Sequence, residues 1–246
     1  MTGGARQSRV DLLMLPGMDG TGRLFAPVLA ELPPWIRAHV VAYPSQEALP
    51  LPALARQAAQ AMPEAGAVVL AESFSGLVAL QMLADGVPGI RGVIFVAAFG
   101  MPPRPWLLGV GARLPVLARL ASRVPGSLLR YMGLGRTAPA AVVEAVRAAV
   151  AAPHPQVLAQ RLAIMSRDAG FAPLRVRGVP CRYFQASRDR LVPASAVAFF
   201  RERFADFACT RVEGPHFLLQ ANPGGAARAI AEACAGVNTI PTQPSP

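Results

Sequence analysis

A chain of 246 residues, 53% of them apolar, has enough material for one large buried core, and a single domain of this length is ordinary. No run of about eighteen uninterrupted apolar residues marks a membrane span, no charged-then-apolar signal pattern opens the chain, and three cysteines without metal-ligand spacing argue for reduced structural thiols. The net charge of +10 comes without a recognised nucleic-acid module, so the expectation is a cytoplasmic, soluble protein that binds no nucleic acid.

Val10 to Leu15 reads as an apolar strand running into Pro16-Gly17-Met18-Asp19-Gly20-Thr21-Gly22, a glycine-rich turn that opens a helix at about Arg23. Such a turn presents free backbone amides. They serve either as oxyanion donors, with the Met18 N–H as the candidate, or as a phosphate cradle, which would need a GK[ST] ending or a GxGxxG pattern that is missing here. Val40 to Tyr43 reads as the second strand and Pro52 to Met62 as a helix.

The next junction is the most telling. Ala67 to Ala71 is an apolar run, and Ala71-Glu72-Ser73-Phe74-Ser75-Gly76 leads from it directly into a helix over Phe74 to Asp85. A serine on a sharp strand-to-helix turn is lifted clear of its neighbours, with helix amides aimed at charge that develops beside it. Small side chains are needed two places either side of that serine. Ala71 and Ser75 satisfy the steric demand without matching GxSxG, although a serine capping a helix is the plainer alternative. Ser73 is the candidate nucleophile and the Phe74 N–H a second oxyanion donor. Glu72 reads as a solvated turn residue in preference to a group that tunes a pocket entrance.

Gly92 to Phe99 reads as a strand, after which the pattern changes: residues 101–178 carry helical runs (Pro115 to Arg123, Ala141 to Ala151, Pro155 to Arg167) and no convincing strand. The expected organisation is a core of residues 1–100 and 179–246 with an all-helical insertion over 101–178. Trp106, Leu107, Leu108, Met132 and Met165 are candidates to line an apolar pocket beneath it, although apolar residues at helical spacing are more often ordinary packing. The insertion holds eleven arginines and two acids, a net +9 that leaves +1 for the rest. A basic insertion fits an acidic partner at the site entrance, and codon bias toward arginine on a solvated face is the plain alternative.

The strand Pro180 to Gln185 is followed by Ser187-Arg188-Asp189-Arg190-Leu191-Val192-Pro193, ahead of a helix over Ala194 to Phe204. Asp189 is either a turn aspartate or the acid that orients a catalytic base. Of the three histidines, His39 lies in the second strand and His154 between two prolines, whereas His216 lies in Glu213-Gly214-Pro215-His216-Phe217 after a last strand, Ala208 to Val212. A closing helix to about Cys234 follows. Cys181 and Cys209 fall in strands expected to be buried.

These four motifs, in this order, resemble the α/β-hydrolase superfamily from Val10 to about Cys234, and among its branches the small capped carboxylesterases. The resemblance implies a mostly parallel six-stranded sheet with helices on both faces and a cap insertion, a catalytic set Ser73, Asp189 and His216 with Met18 and Phe74 as oxyanion donors, and neither cofactor nor metal. It implies a serine hydrolase acting on a small acyl ester. An acyltransferase or thioesterase acting on a carrier-linked acyl group, and a hydrolase-fold binding protein without turnover, are the alternatives.

Overall fold

The computed structural model describes residues 9–103 and 124–238. Six strands, β1 (Val10–Leu15), β2 (Ile36–Val40), β3 (Ala67–Glu72), β4 (Ile90–Val96), β5 (Cys181–Ala186) and β6 (Phe207–Val212), form one sheet in the order β2-β1-β3-β4-β5-β6. All five pairings are parallel. Parallel sheets are buried on both faces, and the alternation of side chains along each strand divides them between two cores. Leu13, Leu15, Val69 and Ala71 pack into one core and Leu12, Met14, Val68 and Leu70 into the other.

Helices cover both faces. On one side lie α2 (Leu51–Gln60), α3 (Ser75–Ala84) and α7 (Ala196–Arg201), and on the other α1 (Ala26–Leu29) and α9 (Pro223–Asn238). Between β4 and β5 the described residues fold as α4 (Gly126–Leu129), a π-turn over Arg130–Leu134, α5 (Ala140–Ala151) and α6 (Pro155–Met165). Val143, Val146 and Ala149 line one face of α5 and bury against Leu24 and Leu134, the spacing that an amphipathic helix requires. The helix expected over Pro115 to Arg123, and the pocket candidates Trp106, Leu107 and Leu108, lie outside the described residues.

The differences from expectation have local causes. The second strand is Ile36–Val40 instead of Val40 to Tyr43: the Val41 amide still reaches the Met14 carbonyl at 3.0 Å, but the Tyr43 amide turns away to the Gly20 carbonyl at 2.8 Å. β4 stops at Val96 because Ala97 takes a left-handed φ of 47°. The helix at Arg23 is a 3₁₀ turn, Arg23–Phe25, that passes into α1. The closing helix is broken into α8 (Leu218–Ala221) and α9, with the Asn222 side chain accepting the Gly225 amide at 3.1 Å as the cap of α9. Cys209, expected to be buried, is exposed, whereas Cys181 and Cys234 are buried. β6 is an edge strand of which only Val212 is fully enclosed.

Candidate active site

The chain order reverses between β1 and β3, which are neighbours with β2 and β4 on opposite sides. Crevices at such switch points, beyond the carboxyl ends of the strands, are where open parallel sheets place ligands. The pairings Leu15↔Ala71, Glu72↔Val96, Val96↔Phe184 and Ala186↔Val212 bring the strand ends level. The loops that carry Met18, Ser73, Asp189 and His216 therefore leave the sheet on one side.

Ser73 follows β3 in the left-handed region, φ 49°. Its amide stays in the sheet, donating to the Val96 carbonyl at 2.9 Å, while its carbonyl accepts the Gly76 amide at 2.9 Å as α3 begins. A serine there costs roughly 1–2 kcal/mol of backbone strain. Ala71 is fully buried, as the tight turn requires. Gly76 has no room for a side chain: an added Cβ would lie 2.8 Å from Ala98 Cβ and 3.2 Å from the Phe99 carbonyl oxygen.

His216 Nδ1 lies 2.9 Å from Asp189 Oδ2, and His216 Nε2 lies 3.0 Å from Ser73 Oγ. An ionised carboxylate only accepts, so Nδ1 carries the proton and Nε2 is left to accept the serine hydroxyl. Asp189 divides its two oxygens. Oδ2 takes the imidazole, while Oδ1 accepts the Leu191 amide at 2.8 Å and the Val192 amide at 2.9 Å, so the turn-aspartate reading and the base-orienting reading describe the same side chain. The Asp189 and His216 side chains are 8% and 7% exposed. The other two histidines are elsewhere: His39 pairs with Asp11 at 2.6 Å on β1 and β2, and His154 accepts the Gln156 amide at the start of α6.

Met18 lies on the loop after β1 and Phe74 directly after Ser73, and both border the same end of the sheet. Their amides donate to no carbonyl among the described residues. A cavity of about 280 Å³ is lined by Met18, Ser73, His216, Glu72 and Asp19 together with the apolar Leu24, Phe99, Met132, Leu162, Met165 and Phe217. Two of these lining residues, Met132 and Met165, are among the pocket candidates read from the sequence. A separate cavity of about 230 Å³ lies behind Asp189, among Gln185, Ser187 and Arg211, and does not reach Ser73.

Glu72 is not a solvated turn residue. It ends β3, is 5% exposed, and its Oε1 accepts from Gln220 Nε2 at 3.1 Å. Burial pushes its carboxyl up to about 7, and the Asp19 charge adds to the rise; the Gln220 bond, the His216 charge and the Gly17 amide oppose it. The fully apolar run before Glu72 carried the signal, since the last residue of a central strand is still inside the sheet.

The sequence reading also passed over Tyr43, Arg161 and the hydroxyl of Ser75. Ser75 is fully buried; Tyr43 lies 2.7 Å from its Oγ, which in turn donates to the Pro16 carbonyl. Arg161, 2% exposed, donates to the carbonyls of Met18 and Asp19, each at 2.8 Å, and of Pro44 at 3.0 Å. It was detectable as a charge on the apolar face of α6, three residues from Leu158 and four from Val157. Among the described residues no group of three or more His, Cys, Asp or Glu side chains is arranged to hold a metal ion, and no helix is long and apolar enough to cross a membrane.

No protein-family model matches the chain. It is 30% identical over 203 residues, 76% of this chain and 79% of the other, to the pimeloyl-[acyl-carrier protein] methyl ester esterase of Xanthomonas oryzae pv. oryzae (strain MAFF 311018). A thermophilic esterase from Thermogutta terrifontis has a similar fold, with TM-score 0.77 at 16% identity over 94% of this chain and 92% of that one. An alpha/beta hydrolase fold protein from Nakamurella multipartita aligns with TM-score 0.62 at 19% identity over 93% of each chain.

Proposed function

The chain belongs to the esterases of the α/β-hydrolase superfamily, and from that premise we propose that it cleaves a carboxylic ester through an acyl-enzyme on Ser73. The observation that carries the reading is the unbroken chain Ser73 Oγ, His216, Asp189, with contacts of 3.0 and 2.9 Å, of which Ser73 and His216 line an apolar cavity. His216 Nε2 takes the serine proton as Oγ attacks the ester carbonyl, and Asp189 holds the imidazole in the required tautomer. The Met18 and Phe74 amides receive the oxyanion; one such donor is typically worth about a hundredfold to a thousandfold in rate. Collapse expels the alcohol with a proton from His216. The imidazole then activates water, which releases the acid and returns Ser73.

The cavity wall supports an apolar acyl or alcohol group, and the described helices between β4 and β5, which supply Met132, Val150, Leu162 and Met165 to that wall, act as a cap over it. A carrier-linked acyl ester is a second substrate reading. Its support is the likeness to an esterase named for a carrier-protein substrate, together with exposed cap arginines such as Arg136 and Arg167. Not all of the cap charge is free for a partner: Arg161 is buried, Arg147 pairs with Glu144 at 3.1 Å, and Arg130 bonds the Ala138 carbonyl.

The test is a series of p-nitrophenyl esters of increasing acyl length beside matched thioesters, with wild type and Ser73→Ala. Turnover of esters by wild type alone is the expected result. Selective turnover of thioesters would move the assignment to a thioesterase, and turnover by Ser73→Ala would remove the nucleophile.

A further inference from the structure

Five consecutive carbonyls of the loop after β1 are each held by a hydrogen bond. Pro16 accepts from the Ser75 hydroxyl, Gly17 from the Gly20 amide at 3.0 Å, Met18 and Asp19 from Arg161 Nη1 at 2.8 Å each, and Gly20 from the Tyr43 amide at 2.8 Å. Peptide units are rigid planes, so the Met18 N–H points where the Gly17 carbonyl lets it; that carbonyl is held by the Gly20 amide, which shares a plane with the Asp19 carbonyl that Arg161 holds. Three of these five restraints come from the core. The two on Met18 and Asp19 are the exception, because Arg161 belongs to α6, in the segment inserted between β4 and β5.

Arg161 is built into this position. The guanidinium carbon stands 5.7 Å from the centre of the Tyr43 ring, and the ring's hydroxyl continues through Ser75 to Pro16. Gly20 makes room for it: at φ +71°, a Cβ on residue 20 would come within 2.4 Å of Arg161 Nη1. A buried cation is costly unless its donors are satisfied. An arginine that only fastened a helix to the core would not need two successive carbonyls of this loop.

We propose that Arg161 is a positioning residue for the oxyanion hole: by clamping the Met18 and Asp19 carbonyls it aims the Met18 amide, and it makes transition-state stabilisation depend on α6 being docked. The proposal rests on the Ser73 esterase reading. Acylation and deacylation both pass through an oxyanion, so kcat reports the hole whichever step limits.

The experiment compares wild type, Arg161→Gln and Arg161→Lys on a small neutral p-nitrophenyl ester and measures inhibition by a trifluoromethyl ketone, whose adduct places an oxyanion in the hole. Displacing an oxyanion donor should lower kcat of Arg161→Gln by about ten- to a hundredfold, with KM changed by about twofold at most. The ketone's inhibition constant should rise in parallel, and Arg161→Lys should recover part of both. If Arg161→Gln fails to fold, as its melting curve would show, the lysine variant decides alone by the same split between kcat and KM. Full kcat in a folded variant, or a loss confined to KM, overturns the proposal while leaving Ser73 in place. Ester turnover by Ser73→Ala would instead overturn the esterase mechanism beneath it.

Discussion

Glu72 Oε1 accepts a hydrogen bond from Gln220 Nε2 at 3.1 Å, so the carboxyl adjoining the candidate nucleophile is buried against a neutral amide and not against a cation. Its protonation is therefore linked to folding. The folded carboxyl is raised from 4.5 to about 7, so between these values the folded state keeps a proton that the unfolded state has lost. The resulting stabilisation is complete below pH 4.5 and is lost as pH rises through about 7, a difference on the order of 3 kcal/mol. Glu72→Gln removes the linkage. Melting curves of both proteins from pH 4.5 to 8 should show wild type falling relative to the variant across this window; a constant gap would mean that Glu72 ionises normally.

The left-handed backbone at Ser73, φ 49°, separates two inactive variants. Ser73→Ala keeps a Cβ in a strained conformation, whereas Ser73→Gly relieves it. Ser73→Gly should be the more stable of the two by about 1 kcal/mol, measured by denaturant unfolding. Equal stability would show that the elbow is unstrained.

Ser75→Ala strands two buried groups at once, the Tyr43 hydroxyl and the Pro16 carbonyl. The expected loss is about 1–3 kcal/mol. Adding Tyr43→Phe removes one of the orphans, so the double variant should lose less than the sum of the two single changes. Strict additivity in chemical denaturation would show that the two hydroxyls do not act together.

How far the sequence spoke depended on how local each constraint was. Alternating apolar runs and turn residues are local, so the six strands and the helices on both faces were readable, with shifts where a distant partner intervened, as at Tyr43. The placement of Ser73, Asp189 and His216 just after their strands was readable because strand ends and turn residues are local signals. The roles of Ser75, Glu72 and Arg161 were not, because each depends on a residue far along the chain: Pro16 for Ser75, Gln220 for Glu72, and the loop at Met18 for Arg161. The local sequence accounts for Ser75 by its size alone, and its hydroxyl gains meaning only from Tyr43 and Pro16.

The carrier reading makes a separate prediction. Arg136 and Arg167 are exposed on the segment between β4 and β5. Reversing both to glutamate should slow turnover of a carrier-linked ester through association, with a loss that shrinks as salt rises, and leave a small neutral ester unchanged. Equal rates on both substrates at low ionic strength, for wild type and variant, would leave the basic surface without a role in recruitment.

The account turns on Ser73 as the nucleophile that His216 activates. The most direct measurement is mass spectrometry of the protein after reaction with a fluorophosphonate, followed by peptide mapping, for wild type, Ser73→Ala and His216→Ala. It should find one adduct on the peptide that contains Ser73 in wild type, none in Ser73→Ala, and strongly slowed labelling in His216→Ala, with all three proteins folded. An adduct on another residue of wild type, or wild-type labelling of His216→Ala, would contradict it.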